Sequence, residues 1–215
     1  MNASIVIVDY GLGNLHSVLK AFQALGLVAQ ITSDPQLVTA ASHIVLPGVG
    51  AFGDGMRGLD ERGLSDALLE SSGSGKWILG ICLGMQLLLS ESEEFGLHAG
   101  LDLIPGRVVA LKSPAEVGVA GYKIPHVGWS RLLSRPGGQT WTNTVLQHTA
   151  EGSEFYFVHS FTAQPADPLH LLAMATYGGQ EIGAVLQKDN VMGTQFHPEK
   201  SAQAGLSLIK SFCEL

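Results

Sequence analysis

A cysteine between two glycines is the residue in this chain best suited to nucleophilic chemistry. Residues 76–90 read KWILGICLGMQLLLS, an apolar run short enough for a buried strand, then Cys82, then a run suited to a helix. A sharp strand-to-helix turn crowds the nucleophile's neighbours, and Gly80 and Gly84 have no Cβ that would clash. Such a turn would place Cys82 at a helix start, where the helix dipole favours the reactive thiolate. The alternative is an inert cysteine buried in the core.

A histidine and a glutamate far downstream favour the catalytic interpretation. Residues 195–199 read QFHPE and end an apolar, strand-like run. A thiol nucleophile needs a base, and the base needs an orienting group. His197 and Glu199 are two residues apart, so an extended backbone puts both side chains on one face. The pattern predicts a triad in which Cys82 is the nucleophile, His197 the base and Glu199 the orienting carboxylate.

A glycine-rich segment, Pro47-Gly48-Val49-Gly50, follows another apolar run, residues 43–46. Glycines on both sides of Val49 leave the backbone free to rotate and its N–H groups accessible, as an oxyanion hole requires. The backbone N–H of Leu83, next to the nucleophile, would be the other donor. The alternative is an ordinary surface loop.

The order of the remaining elements predicts the fold. Apolar strand-like runs in the first half alternate with helical patterns, which indicates an α/β fold with a doubly wound, mostly parallel central sheet flanked by helices. The second half is rich in strands with little helical periodicity between them, which predicts an antiparallel extension of that sheet. Residues 54–72 read as one helix, and residues 112–122 and 134–153 as loops. A length of 215 residues favours a single domain over residues 1–215.

Composition excludes several classes of function. The formal net charge is −7 and no basic patch occurs, which argues against nucleic-acid binding. No apolar run approaches the roughly 18 residues of a membrane span. Two cysteines, Cys82 and Cys213, give no disulfide framework, so we expect a reduced, cytoplasmic setting.

Two further patterns fail to reach a known binding motif. Gly11-x-Gly13 lacks the third glycine of a dinucleotide fingerprint, because position 16 is histidine. His126 and His148 lie in different segments, and the chain has no HxxxH or CxxC spacing. We therefore expect no metal site and no cofactor.

The motifs together resemble a known family. GICLGMQ at residues 80–86 with QFHPE at 195–199 resembles the class I, triad-type glutamine amidotransferases. PGVGAFG at 47–53 and KIPHVGW at 123–129 are similar, more narrowly, to the glutaminase subunits of imidazole glycerol phosphate synthase. The resemblance runs from about Ile5 to Phe212.

This resemblance implies an activity and a partner. The family hydrolyses L-glutamine to glutamate and ammonia through a cysteine thioester. The ammonia passes to a cyclase subunit, a (β/α)8 barrel in a 1:1 heterodimer, which forms imidazole glycerol phosphate and aminoimidazole carboxamide ribonucleotide in histidine biosynthesis.

The resemblance also assigns further residues. Gln86, His159, Ser160 and Phe161 would contact the substrate glutamine, and Asn14, Tyr156 and Lys200 would face the partner. Three of them have a plainer interpretation: Asn14 as a helix cap, Gln86 as an exposed helix residue, and His159 as part of the core.

Two rival functions follow from the same motifs. One is another triad amidotransferase, such as the glutaminase of pyridoxal phosphate synthase, which should carry Gly-Gly-Glu-Ser where this chain has residues 47–50. The other is a non-catalytic regulatory subunit, which would be expected to lose a member of the triad, whereas this chain retains all three.

Overall fold

Eight strands form the central sheet of the computed structural model, which describes residues 4–135 and 137–215. The strands of this sheet are Ile5–Val8 (β1), Ala29–Thr32 (β2), His43–Gly48 (β3), Trp77–Cys82 (β4), Leu133–Ser134 (β9), Leu171–Tyr177 (β12), Gln180–Lys188 (β13) and Val191–Thr194 (β14). They lie in the order β2-β1-β3-β4-β14-β13-β12-β9.

The pairing confirms the predicted sheet. The five strands from β2 to β14 are mutually parallel, and β13, β12 and β9 continue the sheet in antiparallel fashion. The C-terminal ends of β3, β4 and β14 therefore meet at one edge. Ligands of such sheets bind at this edge, so the topology brings residues that are distant in the sequence to one place.

Helices cover both faces of the sheet. They are Leu15–Ala24 (α1), Pro35–Ala40 (α2), Phe52–Asp60 (α3), Leu64–Gly73 (α4), Leu83–Leu87 (α5), Pro114–Val117 (α6) and Ala202–Cys213 (α7), with 3-10 turns at Pro168–His170 and Pro198–Lys200. Alternate residues of β1 enter different cores. Ile5 and Ile7 pack with residues of α1 and α7, whereas Val6 and Val8 pack with α2, α3, α4 and α5.

The helix predicted over residues 54–72 is wrong in one respect. It is two helices, α3 and α4, which separate at Glu61–Gly63. Gly63 has a φ of 65°, a left-handed conformation that glycine adopts without a steric cost and that ends regular helix. The helical periodicity continues across the break, so the pattern alone did not locate it.

The second half is more divided than the sequence predicted. In the part of the chain that the structure describes, β13, β12 and β9 extend the central sheet through successive antiparallel pairs. A four-stranded sheet is built from Glu91–Ser92 (β5), His98–Ala99 (β6), Gly106–Ala110 (β7) and Phe161–Pro165 (β11). A separate antiparallel pair joins His126–Arg131 (β8) to Glu154–His159 (β10), with His126 opposite His159. Alternating hydrophobicity marks each strand but does not specify its partner.

One of the two predicted loops contains a short helix, and the other is confirmed over its described residues after β9. Residues 112–122 contain α6, whose capping box joins Ser113 and Glu116. Residues 134–153 are mostly turns after the end of β9, and position 136 lies outside the described residues. Within the ranges that the structure describes, no helix has the length and apolar character needed to cross a membrane.

Candidate active site

A sharp turn between β4 and α5 presents the candidate nucleophile. Cys82 has φ 56° and ψ −110°, a rarely occupied conformation for a residue with a side chain. A Cβ on Gly84 would overlap the carbonyl oxygen of Leu46, and a Cβ on Gly80 would lie 2.7 Å from the backbone of Gly84. Both glycines are thus required by close packing, and the strand, turn and helix lie where the pattern predicted.

The predicted base and its orienting group form a buried pair. Nδ1 of His197 lies 2.8 Å from Oε1 of Glu199, and the two side chains are 3% and 1% exposed. Because a carboxylate accepts, Nδ1 carries the hydrogen and Nε2 is left for the nucleophile. The hydroxyl of Ser201, two residues after Glu199, fixes the backbone here. It donates to the carbonyl of His197 at 2.6 Å and accepts from the N–H of Tyr156 at 3.0 Å.

The charge of His197 is governed by its two neighbours. Burial lowers the pKa of His197, but Cys82 and Glu199 more than offset this effect and raise it to about 9. Nε2 is buried and has no hydrogen-bond partner among residues 4–135 and 137–215. The raised pKa thus favours a protonated ring beside the sulfur, with Nε2 available to groups that enter the cleft.

A cleft of about 260 Å³ opens over the sulfur. It is lined by Val49, Gly50, Cys82, Leu83, Gln86, Glu94, Val158, His159, Ser160, Phe161 and His197. Sγ of Cys82 lies 3.8 Å from the carbonyl oxygen of Val158 and 3.8 Å from the amide nitrogen of Gln195. The cleft is thus small and has polar groups around the nucleophile, which suits a small polar substrate.

The three residues predicted to supply oxyanion donors from the glycine-rich segment, Gly48, Val49 and Gly50, differ in their position relative to the cleft. Val49 is 41% exposed and Gly50 has a φ of 119°, and both line the cleft opposite Leu83. Gly48 is not part of the lining. It is the last residue of β3 and pairs with Cys82 across the sheet. Their role as oxyanion donors stays a prediction.

The residues that the resemblance assigned to glutamine lie together around the cleft. Gln86 is 6% exposed, so it is not an exposed helix residue. Its amide nitrogen lies 3.3 Å from the carbonyl oxygen of Phe161 and 3.1 Å from Oε1 of Gln195. Ser160 and Phe161 form the adjoining wall of the cleft.

His159 belongs to a hydrogen-bonded chain of fixed polarity. Its Nδ1 lies 2.8 Å from the carbonyl oxygen of Phe161, which can only accept, so Nδ1 carries the hydrogen. Its Nε2 then accepts from Nδ1 of His126 at 2.9 Å, and Nε2 of His126 accepts from the hydroxyl of Ser130 at 3.0 Å. Burial lowers the pKa of His159 to about 3 and that of His126 to about 4. Both rings are therefore neutral at pH 7.

The residues predicted to face a partner lie outside the cleft. Asn14 caps α1, with its side chain accepting from the N–H of Ser17 at 3.4 Å. Nζ of Lys200 lies 5.9 Å from the ring centroid of Tyr156, which meets the half-exposed Trp129 edge to face. Helix α1 packs against the turn Pro198–Lys200. Their role toward a partner stays a prediction.

Two polar residues of the site were missed by the sequence interpretation. Glu94 lines the cleft, and its Oε2 accepts from the N–H of Phe52 at 2.7 Å. It lies in a run of acidic residues, and nothing in the sequence distinguishes it from a surface carboxylate. Gln195 is fully buried and joins Gln86 to Cys82. Its place in the QFHPE motif was the available signal.

His148, which was considered with His126 for a metal site, is not part of the hydrogen-bonded chain described above but pairs with Glu214. Nε2 of His148 pairs with Glu214 at 2.6 Å, and His126 pairs with His159. Among the described residues, no group of three or more histidine, cysteine or acidic side chains is arranged to hold a metal ion.

Comparison with known proteins identifies close relatives. The family model for glutamine amidotransferase class-I matches residues 6–214. The imidazole glycerol phosphate synthase subunit HisH 1 of Legionella pneumophila (strain Paris) is 48% identical over 213 residues, which is 99% of this chain and 100% of the relative. The subunit HisH of Methanothermobacter thermautotrophicus is 47% identical and covers 98% of each chain.

Solved structures share the fold at lower sequence identity. A crystal structure of a glutamine amidotransferase has a TM-score of 0.72 at 16% identity and covers 98% of each chain. The structure of PurLQS from Thermotoga maritima has a TM-score of 0.71 at 17% identity, over 100% of this chain and 99% of the other. With the family match over almost the whole length, these findings establish that the chain belongs to the class I glutamine amidotransferases.

Proposed function

We propose that this chain, as one amidotransferase domain over residues 1–215, is the glutaminase subunit of an imidazole glycerol phosphate synthase. It hydrolyses L-glutamine to glutamate and ammonia in histidine biosynthesis. The observation that carries the proposal is the cleft in which Cys82 meets His197, itself paired with Glu199. The 48% identity to a subunit of that synthase supports the choice of pathway.

The reaction proceeds through a thioester. The sulfur of Cys82 attacks the side-chain amide carbon of glutamine, and the tetrahedral intermediate collapses as ammonia leaves. His197 accepts the thiol proton and gives a proton to the departing nitrogen. Glu199 holds the imidazole so that Nε2 faces the sulfur. Water, activated by His197, then attacks the thioester and releases glutamate.

The oxyanion is stabilised by backbone donors. Leu83 follows the nucleophile at the start of α5, and Gly48, Val49 and Gly50 form the segment beside it. A donor of this kind contributes roughly 3–4 kcal/mol to transition-state stability. The two glycines leave the backbone of this segment free to rotate, so it can present or withhold its N–H group.

The charged ends of glutamine match the walls of the cleft. The carboxylate of Glu94 is suited to the α-ammonium group of an amino acid. Gln86, with His159, Ser160 and Phe161, supplies amide and backbone groups for the remaining polar atoms.

Ammonia is used by a partner subunit. In water at neutral pH ammonia is mostly protonated and is a poor nucleophile, so a shielded passage from one site to the next preserves it. We propose a cyclase with a (β/α)8 barrel in a 1:1 complex, docked against Asn14, Tyr156 and Lys200. Its products are imidazole glycerol phosphate and aminoimidazole carboxamide ribonucleotide.

The two unpaired cysteines, Cys82 and Cys213, fit a cytoplasmic setting.

Replacement of the nucleophile tests the proposed function. We expect Cys82→Ala to abolish glutamate release from glutamine, because no thioester can form, while added ammonium salts still support synthesis by the complex. Glutamate release and imidazole glycerol phosphate formation are measured in parallel. Cys213→Ala, at the far end of α7, is the matched control and should retain both activities. Glutamine hydrolysis by Cys82→Ala would exclude Cys82 as the nucleophile.

Dependence on the partner is a second test. We expect the isolated chain to hydrolyse glutamine slowly, and the cyclase with its bound acceptor to raise kcat by at least about tenfold through the segment around Val49. Steady-state glutaminase assays with and without the cyclase measure this ratio. An equal kcat in both assays would contradict control by the partner.

A further inference from the structure

A buried hydroxyl lies behind the proposed oxyanion segment and is not used by the mechanism above. Tyr10 is 1% exposed, and its hydroxyl has no hydrogen-bond partner within the part of the chain that the structure describes. Buried polar groups are almost always paired, because an unpaired group has lost water without a replacement. Tyr10 is not part of the cleft lining, so a bound substrate would not supply a partner for its hydroxyl.

The hydroxyl is in direct contact with the segment. A Cβ added to Gly48 would overlap the hydroxyl oxygen of Tyr10, so this glycine leaves the space that the hydroxyl fills. Tyr10 belongs to the loop that follows β1, and other residues of this loop lie close to Pro47 and Gly50. A Cβ at Gly13 would lie 3.4 Å from the carbonyl oxygen of Pro47, and one at Gly50 would lie 3.8 Å from the side chain of Leu12. The loop after β1 therefore backs the whole segment.

The orientation of a peptide unit in this segment links its buried side, where Tyr10 lies, to its cleft side. Val49 and Gly50 face the cleft that contains Cys82, whereas Tyr10 lies on the buried side of Gly48. The C=O and N–H groups of a trans peptide point in opposite directions. A peptide whose carbonyl turns toward Tyr10 therefore turns its N–H toward the cleft. Glycine at positions 48 and 50 gives the backbone the freedom to make this rotation.

We propose that Tyr10 is a positioning residue for the oxyanion hole. Its hydroxyl donates a hydrogen bond to a carbonyl oxygen of the Gly48–Gly50 segment during the reaction and so holds the N–H of that peptide toward the developing oxyanion. This inference rests on the proposed glutaminase function. It adds a residue behind the segment to those that line the cleft.

The state of the hydroxyl agrees with this role. Burial, together with the charge on Cys82, raises the pKa of Tyr10 above its ordinary value. The hydroxyl consequently keeps its proton and remains a donor.

The inference predicts opposite effects on stability and activity. Tyr10→Phe removes only the unpaired hydroxyl and keeps the ring that packs beside Gly58. We expect the Tm of the variant to equal or exceed that of the wild type, because an unpaired polar group is lost. We expect kcat for glutamine hydrolysis in the complex with the cyclase to fall at least tenfold, with KM changed less than twofold.

A tyrosine with a paired hydroxyl provides the matched control. The hydroxyl of Tyr122 donates to the carbonyl of Lys112 at 2.7 Å, away from the cleft. Tyr122→Phe should not raise the Tm and should leave kcat unchanged. An unchanged kcat in Tyr10→Phe would overturn the inference. A lower Tm in Tyr10→Phe would also overturn it, because the hydroxyl would then have a partner in the resting protein.

The rate of alkylation of Cys82 by iodoacetamide separates the oxyanion hole from the nucleophile. We expect the same rate in wild type and Tyr10→Phe. A slower rate would show that Tyr10 acts on the sulfur and would overturn the inference. The glutaminase assay of the wild-type complex tests the proposed function separately. If the complex releases no glutamate, that function is wrong and this inference falls with it. If it does and Tyr10→Phe matches it, only this inference fails.

Discussion

At the scale of single residues, the reactivity of the site depends on the charge shared by Cys82, His197 and Glu199. The pKa of His197 is raised to about 9 even though burial acts in the opposite direction, so its two neighbours dominate. A protonated imidazole beside the sulfur stabilises the thiolate and can supply the proton that departing ammonia needs. The pair of His197 and Glu199 is thus a buried structural contact, and in the proposed mechanism it also sets the charge of the base.

Neutralising the carboxylate of Glu199 should change both the pKa of His197 and the rate of glutamine hydrolysis. We expect Glu199→Gln to bring the pKa of His197 below 9 and to reduce kcat about 100-fold or more, because the ring loses its charge partner and its fixed tautomer. NMR titration of the ring and a glutaminase assay measure the two effects. Glu214→Gln, at the exposed His148 pair, is the matched control and should leave both unchanged. A wild-type kcat in Glu199→Gln would exclude the orienting role.

At the scale of elements, a buried hydrogen-bonded network joins five parts of the fold around the nucleophile: β8, β10, β11, α5 and the residue that follows β14. It passes from Ser130 on β8 through His126 to His159 on β10 and ends on the carbonyl of Phe161. Gln86 on α5 donates to the same carbonyl and to Gln195, whose amide nitrogen faces the sulfur. Because each of these side chains has a hydrogen-bond partner, the network fixes the relative positions of these elements.

Removing the amide of Gln195 should weaken this network. We expect Gln195→Met, which has a similar volume, to lower the free energy of unfolding by about 1–3 kcal/mol, since Gln86 loses an acceptor. We also expect kcat to fall about tenfold, because the sulfur loses a donor. Urea unfolding and glutaminase assays measure both. Gln187→Met removes an amide that accepts from Val145 at 3.4 Å outside the cleft, and it should affect stability alone. Equal activities of the two variants would contradict the role of Gln195.

At the scale of the whole molecule, the buried histidines make stability depend on pH in two directions. The folded pKa of His197 is raised from 6.5 to about 9, so its stabilising contribution is full below pH 6.5 and is lost as pH rises toward 9. The folded pKa values of His126 and His159 are lowered from 6.5 to about 4 and about 3. Their contribution is full above pH 6.5 and is lost as pH falls toward these values.

We therefore expect the free energy of unfolding to be greatest near pH 6.5. The fall toward pH 9 from His197 is roughly 3 kcal/mol. Chemical denaturation at pH 5, 6.5 and 9 measures the profile. In His126→Gln the fall between pH 6.5 and 5 should be shallower, and in Glu199→Gln the fall toward pH 9 should be smaller. Stability that rises steadily from pH 5 to pH 9 would contradict this assignment.

The sequence by itself determined the local chemistry and the order of elements. Gly80, Cys82 and Gly84 specify a turn that few backbones can make, and two-residue spacing places His197 and Glu199 on one face, because these are properties of short segments. The alternation of strands and helices predicted the parallel sheet, because right-handed crossover connections between parallel strands allow only a few strand orders.

Only the tertiary structure decided which distant groups meet. It brought Glu94 to the cleft, placed Gln195 between Gln86 and Cys82, and left the hydroxyl of Tyr10 unpaired behind Gly48 among the described residues. These contacts join β1, β3, α5 and β14 across the sheet, and no local periodicity encodes them. The physical reason is that burial and hydrogen-bond pairing depend on the side chains that packing brings together, whereas sequence pattern reports only on neighbours along the chain.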